Sequence, residues 1–595
     1  MSKIVFYNAN NDETKAPSMH YNSENKALII KATAYTLKCA ADRPYVYLRD
    51  SAGNTLAELF VLSSIHTLTG RDDTVRIGDW TVRAEGETVV LELSTESSVW
   101  KRKVYRFRCE EDRLTYEIDL EGNGQITEAV YFGGYYSGHV RWGSGFFWSG
   151  HQFLQGFNPE PTVKEEYTFA PSSGSVIDLF GVPLPGKASW FYTPPPFCFG
   201  FQTKSTWLSM GVEAKPGENR FSDYQYRGQQ EGFCLSLAYE GYTAVDGTYT
   251  MPAIGIDFAA DEYEALKRHV DSLRKQDYVP TTSTRYHRVW WYEPIYCGWG
   301  SQCYIASLDK SHAPSHARQN LYEGFLKALE EHDVQPGIVV LDDKWQATYG
   351  NNDADRNKWP DIEGFIAAQH KAGRKVLLWL KAWDPEGLPA EECITNKIGL
   401  PLSIDPTNPA CEARLRESVR LMLSKDGYDA DGFKIDFTAR ISCSPGLQMH
   451  EPLWGLELMK RYLGILYDEA KKVKPDALVM AHTPHPYLAD VVDMIRLNDI
   501  NTDHDVNRAM THRAKVASIA CPNAIIDTDN WPITNKAVWR DYVRLQPELG
   551  VSSLYYATHI DTTGEALDAE DYALIREVWA AHRARMSAEE QIHAN

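Results

Sequence analysis

The stretch "DGFKIDF" (431–437) decides how the second half of the chain is read. Its apolar, β-branched and aromatic residues read as a buried strand, yet Lys434 and Asp436 sit two positions apart within it. Strand side chains alternate with period two, so these two charges share one face while Phe433, Ile435 and Phe437 take the other. Opposite charges inside a buried strand need a task.

Working outward, seven further stretches have the same form: "VWWYEPI" (from 289), "IVVLDD" (338), "KVLLWLKAW" (375), "ALVMAH" (477), "MIRLND" (494), "AIIDTDN" (524) and "SSLYYAT" (552). Segments with apolar residues three and four apart lie between several of them, as in Leu415, Val419 and Met422, or Leu458, Tyr462 and Leu466. Such spacing marks helices with one buried face. Eight apolar strands alternating with helices predict a (β/α)₈ TIM barrel over 281–595. The link between the fifth and sixth strands is too short for a full helix.

Upstream the pattern changes. Stretches such as "DWTVRAEGETVVLEL" (79–93) and "VYRFRCEEDRLTYEIDL" (104–120) alternate apolar with polar residues and break at turn-like clusters. This predicts antiparallel hairpins assembled into a β-sandwich over 1–280. The segment 132–153 is so rich in glycine and aromatics that a long loop is expected, with a reach over the barrel mouth as a further option. A helix over 261–275 and the aperiodic "DYVPTTSTR" after it set the domain boundary near 280.

The formal net charge of −20 over 595 residues argues against a nucleic-acid partner, which would need clustered cations. The N-terminal stretch has no signal-like apolar core, and no run approaches the roughly 18 apolar residues of a membrane span. A cytoplasmic protein with no membrane partner is expected. The ten cysteines form no CxxC pair and are read as reduced thiols, Cys297 and Cys303 included. His482, His485 and His504 lack the spacing of a metal site, so no metal and no cofactor are expected.

In such barrels functional groups gather at the carboxyl ends of the strands. There this sequence places Asp342 and Asp343, Lys381 and Asp384, Lys434 and Asp436, His482, Arg496 and Asp499, and Asp527 and Asp529. Trp291, with Trp290, Glu293 and "CGWG" (297–300), is expected to line the pocket. Carboxylates that accept from vicinal hydroxyls, cations that donate to ring oxygens and aromatic walls together suit a sugar. Glycoside hydrolysis needs two carboxyl groups in opposite protonation states. Asp436, with a cation on its own face, suits the ionised role, and Asp499 at the mouth suits the acid.

These residues resemble the melibiase-type α-galactosidases of glycoside hydrolase family 36, and more distantly families 27 and 31. "VVLDDKW" is similar to the second-strand motif, "NKWPDIEGFIAAQHKAGRKVLLWLKAW" to the approach to the third, "SIDPTNP" to the segment before the nucleophile, "FKIDF" to the nucleophile motif and "RLNDIN" to the acid/base motif. The resemblance covers roughly 290–560. It implies a retaining exo-α-glycosidase with Asp436 as nucleophile and Asp499 as acid/base, their carboxyls roughly 5–5.5 Å apart. It further implies that Asp342, Asp343, Lys434 and Trp379 hold the sugar. The expected partner is then a glycoside or oligosaccharide, with a homo-oligomer left open. Two departures stand out: "AHTPHPY" ends the fifth strand, and Arg496 occupies the place of a tryptophan. Arg496 and Lys381 could receive an anionic substituent, or Arg496 could pair with Asp499 or Asp527 as scaffold; α-glucosidase-like, transglycosylating and non-catalytic relatives stay as alternatives.

Overall fold

Eight short strands form one parallel sheet in the second half of the chain. They are β1 (Ile295–Cys297), β2 (Ile338–Leu341), β3 (Lys375–Lys381), β4 (Gly432–Asp436), β5 (Leu478–Ala481), β6 (Met494–Arg496), β7 (Ile525–Asp527) and β8 (Ser553–Leu554). The computed structural model describes residues 4–6, 18–22, 27–40, 43–137, 144–157, 195–228, 232–281, 287–438, 441–442, 445–497, 499–500 and 505–593.

Neighbours run in the order β7-β6-β5-β4-β3-β2-β1-β8. A parallel bridge from Asp527 to Val551 spans the remaining seam, so the ring is nearly closed. The ring forms because its strands are apolar on both faces: every residue of β2 and of β5 is buried. Only a sheet covered by helices on its outside can hide both faces. The covering helices do this with the stripes read from sequence, Leu415, Val419 and Met422 on Pro409–Leu423, and Leu458, Tyr462 and Leu466 on Gly455–Val473. Between β5 and β6 there is only the 3₁₀ turn Pro486–Leu488.

One strand expectation is corrected. "VWWY" forms a 3₁₀ turn, Val289–Tyr292, and β1 starts after Pro294. Trp291 is buried at the amino end of the barrel, where its indole donates to the carbonyl of Asp476 (3.0 Å) just before β5, and Lys471 lies over its ring. It therefore faces away from the carboxyl ends and does not line a pocket there.

The first half contributes nineteen strands joined in one mixed hydrogen-bonded network. Its spine is the antiparallel pair Arg113–Tyr131 and Gly232–Thr250. The network is mostly antiparallel, with parallel pairs where Ile4–Phe6 meets Trp80–Val82 and where Tyr135 and Tyr136 meet Asp73 and Thr74. The expected loop at 132–153 is instead a strand pair, with Gly133–Tyr136 antiparallel to Gly145–His151. Its glycines are what make this possible: a Cβ on Gly134 would lie 2.2 Å from the Leu62 carbonyl oxygen and one on Gly133 2.7 Å from Cys234 Cβ. Residues 138–143 of that segment lie outside the described ones.

Helix Glu262–Lys275, capped by Asp261, leads out of the β-region and touches the barrel through Tyr263 and His512 (3.1 Å). A second contact is tighter. Glu457, at the start of helix Gly455–Val473, accepts from the backbone N–H groups of Gly217 and Asn219 (both 2.9 Å) and from the Tyr487 hydroxyl (2.9 Å). Tyr242 stacks on Trp454 beside it, ring centroids 4.3 Å apart. Removing a buried acceptor strands its donors, so Glu457→Ala should lower stability by about 1–3 kcal/mol in denaturant unfolding; a loss below about 0.5 kcal/mol would show that this contact does not hold the two regions together.

Candidate active site

The carboxyl ends of β2, β3, β4, β6 and β7 converge on one group of charges. Asp436 ends β4 and is bonded on all sides. Its Oδ1 accepts from Arg496 Nη2 (2.9 Å), from His482 Nε2 (3.2 Å) and from the Phe437 backbone N–H (2.9 Å), and its Oδ2 accepts from Trp379 Nε1 (3.1 Å). Burial alone would raise this carboxyl, but Arg496, His482 and Lys434 reverse that and hold it well below the usual carboxylate range. It is an anion.

Asp499, two residues past Leu497 and β6, is in the opposite condition. Its Oδ1 accepts from Arg496 Nη1 (3.0 Å), and its side chain is 15% exposed. Burial, with Asp436 and Asp529 nearby, pushes it up to about 7 against the pull of Arg496. Both carboxyls thus grip one guanidinium, and they titrate apart because one carries most of the donors.

Arg496 is itself buried, and its Nη1 also meets Asp529 Oδ2 (2.5 Å). Lys434 donates to Asp342 Oδ2 (2.8 Å) and lies near the Tyr555 hydroxyl (3.4 Å) and Cys297 Sγ (3.6 Å). The Cys297 thiol donates to the same Asp342 oxygen (2.9 Å). Asp343 accepts from the Tyr349 hydroxyl (2.7 Å), and burial with neighbouring Asp342 and Asp436 raises it to about 7 despite that bond and Lys381. Lys381 pairs with Asp384 (2.7 Å) and lies over the Tyr349 ring.

The backbone is bent to make this rim. Lys344, Trp383, Phe437 and Asp529, each just past β2, β3, β4 or β7, have φ of 73°, 68°, 58° and 56°. Left-handed non-glycine residues cost of order 1–3 kcal/mol each and cluster at functional sites.

Asp436, Asp499, Asp342, Asp343, Lys434, Lys381, Arg496 and Trp379 are therefore brought together as the sequence suggested. Two are placed differently. His482 is fully buried behind Asp436, so it supports that carboxylate instead of touching a ligand. Asp527 turns toward the β7–β8 seam, where it accepts from Ser553 Oγ and from the Asp529 N–H. Asp529, not Asp527, joins Asp436 and Asp499 on Arg496. Tyr349 and Tyr555 had no distinctive sequence signal; Cys297 stood in the "CGWG" expected to line the pocket, and Asp529 was among the strand-end carboxylates without its partner being legible. His504 lies outside the described residues, and no group of three or more His, Cys, Asp or Glu that could hold a metal occurs among the described ones.

No family model matches the chain, and no curated protein does. Solved structures do. A cycloalternan-forming enzyme from Listeria monocytogenes, in complex with a pentasaccharide substrate, aligns with TM-score 0.55 at 10% identity over 95% of this chain and 60% of its own. A family 31 sulfoquinovosidase from E. rectale aligns with TM-score 0.55 at 10% identity, over 94% of this chain and 82% of its own. An α-galactosidase from Thermus thermophilus, with stachyose, gives TM-score 0.50 at 13% identity, over 84% of this chain and 99% of its own. The chain spans 60% of the length of the Listeria protein. At these identities the likeness establishes a shared fold.

The raised carboxyl has a consequence for stability. Between the ordinary value near 3.8 and about 7, folded Asp499 keeps a proton that the unfolded chain has lost. In that window the unfolded state binds fewer protons, so this group's contribution to stability falls as pH rises and stays lowered above about 7. Asp499→Asn should therefore be more stable than the parent by about 1–3 kcal/mol at pH 8 and nearly equal to it at pH 4, measured by denaturant unfolding at both. A gain of equal size at the two pH values would contradict this.

Proposed function

We propose that the protein is a retaining exo-α-glycosidase that removes a terminal α-linked sugar, with α-galactosides as the first substrates to try. The observation that carries this reading is the pair Asp436 and Asp499: two carboxyls on one guanidinium, one held as an anion and the other pushed up to about 7. A double displacement at an anomeric carbon needs that combination. Support comes from the fold shared with enzymes whose names specify α-galactosidase and sulfoquinovosidase activity, and from the order of the sequence motifs along β2 to β6.

Asp436 Oδ2 is the attacking oxygen in this reading. Oδ1 is occupied by three donors, whereas Oδ2 has Trp379 Nε1, which fixes its direction. As Oδ2 bonds to the anomeric carbon, Asp499 gives its proton to the departing glycosidic oxygen. In the second half Asp499, now an anion, takes a proton from water, which displaces Asp436 and returns the anomeric configuration to its starting sense. Arg496 supports both states of Asp499: it stays beside a carboxyl whose charge appears in one half-reaction and disappears in the other.

The cations of the site favour a neutral sugar. Arg496 meets three carboxylates, Lys434 meets Asp342 and Lys381 meets Asp384. An anionic substituent would have to compete with a carboxylate for each of them. Asp342 and Asp343, on the β2 end, remain as acceptors for hydroxyl groups, and Tyr349, Phe437, Trp299 and Trp531 supply half-buried aromatic faces.

Three outcomes test the reading. A panel of 2-deoxy-2-fluoro-α-glycosyl fluorides should inactivate the protein with label on the peptide containing Asp436, and the sugar that labels names the glycone; label on a peptide without Asp436 defeats the assignment. With the matching aryl α-glycoside, kcat/KM should fall with rising pH through about 7 as Asp499 loses its proton, and Asp436→Asn should lower kcat by about 10⁴-fold or more.

A further inference from the structure

The third carboxylate on Arg496 has no part in the two-carboxyl chemistry, yet it makes the shortest of that guanidinium's three carboxylate contacts. Nη1 lies 2.5 Å from Asp529 Oδ2 and 3.0 Å from Asp499 Oδ1, while Nη2 lies 2.9 Å from Asp436 Oδ1. A guanidinium is a rigid planar fork, so the position of one nitrogen fixes the direction of the others. Asp529 is fully buried. Its other oxygen accepts from the N–H groups of Asn530 (2.6 Å) and Trp531 (3.0 Å), its N–H donates to Asp527 and its carbonyl accepts from Gln546 (2.7 Å). A residue tied at this many points through side chain and main chain cannot follow Arg496; Arg496 must come to it.

We infer that Asp529 is a positioning residue: by anchoring the Nη1 edge of Arg496 it decides how one cation is divided between Asp436 and Asp499. The inference rests on the glycosidase reading for its purpose, though not for its geometry. With Asp529 present, Nη1 is shared and Asp499 receives only part of it. Without that charge Nη1 turns wholly to Asp499, stabilises its anion and takes away the proton the leaving group needs. Among the described residues, the other groups facing Asp499 are Asp436 on β4, Cys303 on helix Trp299–Asp309, and Arg513 on helix Val506–Ala520, whose Nη1 reaches the Asp499 carbonyl (2.7 Å). None of these sits on the Arg496 Nη1 that Asp499 uses.

Asp529 also aims the aromatic wall. The Trp531 N–H it holds belongs to a residue whose indole donates to Asp561 (3.0 Å) and meets Trp299 edge-on, centroids 5.7 Å apart. A substitution must therefore keep the turn while removing the charge. Asp529→Asn does so, since its amide oxygen can still accept from Asn530 and Trp531.

The test reads Asp499 directly. Protein labelled with ¹³C at the aspartate carboxyl is titrated by NMR, and the Asp499 signal is the one lost in Asp499→Asn. In Asp529→Asn its midpoint should fall by about one pH unit or more, and the basic limb of kcat/KM should move down with it, a tenfold loss of relative rate on the alkaline side. An Asp499 midpoint that does not move, whatever happens to the rate, overturns the inference. If Asp529→Asn does not fold, Asp529→Ser, whose hydroxyl can accept the same N–H, carries the same reading. Should no α-glycoside be turned over by the parent protein, the glycosidase reading fails while the midpoint still decides the role of Asp529.

Discussion

One buried guanidinium organises the carboxyl end of this barrel. Arg496 stands between Asp436, Asp499 and Asp529, which come from three different strand ends, and its own side chain is almost completely withdrawn from water. A charge so placed is tolerated only with partners in good geometry, because desolvation is costly and each missing partner leaves an uncompensated ion. The planar fork of arginine can meet several carboxylates in fixed directions; a lysine ammonium could not hold them in one plane. The barrel must close well enough to bring β4, β6 and β7 to this point, and the chemistry of both acidic groups follows from how the cation is shared.

The same arrangement explains why so many acidic residues can coexist here. Asp342 is neutralised by Lys434 and Asp436 by Arg496 and its N–H donors, whereas Asp343 and Asp499 are left under-compensated and rise to about 7. Near neutral pH the group thus carries less negative charge than its residue count suggests. The strained residues past β2, β3, β4 and β7 aim these side chains inward, and the helices that cover the outside provide the packing that holds such conformations.

Much of this was legible in the sequence, for identifiable reasons. The strand periodicity gives Lys434 and Asp436 one face, and the structure has them on one face, toward Asp342 and Arg496. β2 to β7 lie where apolar runs of the right length were read, and the short β5–β6 link holds only a 3₁₀ turn. The failures have a common cause. "VWWY" has strong strand propensity, but Pro294 and the pull of Asp476 and Lys471 on Trp291 made it a turn at the other end of the barrel. Gly133 and Gly134 of the 132–153 segment looked like loop signals and are close approaches inside a sheet. His482 sits at a strand end, where a ligand contact is the natural expectation, yet whether such a side chain faces a cleft or backs a carboxylate depends on neighbours remote in sequence. Tertiary position, not local pattern, decides those cases.

The two aspartates of β7 show how far alternation can be trusted. Asp527 and Asp529 are two apart and by period two would share a face, but the left-handed backbone at Asp529 breaks the alternation and sends them to different tasks. Asp527 goes to the seam, where Ser553 bonds its carboxyl and the ladder between β7 and β8 is reduced to one bridge. Side chains reinforce that seam further: Thr528 Oγ1 donates to the Val551 carbonyl (2.8 Å), and the Gln546 amide spans the carbonyls of Asp529 (2.7 Å) and Ser553 (2.9 Å). The residue that holds Arg496 is therefore tied by its own carbonyl to the closure of the barrel. Where the backbone ladder is weakest, the structure uses the same short run, "DTD", both to join the last two strands and to set the position of the cation, so the geometry of the two acidic groups is fixed by the closing of the fold itself.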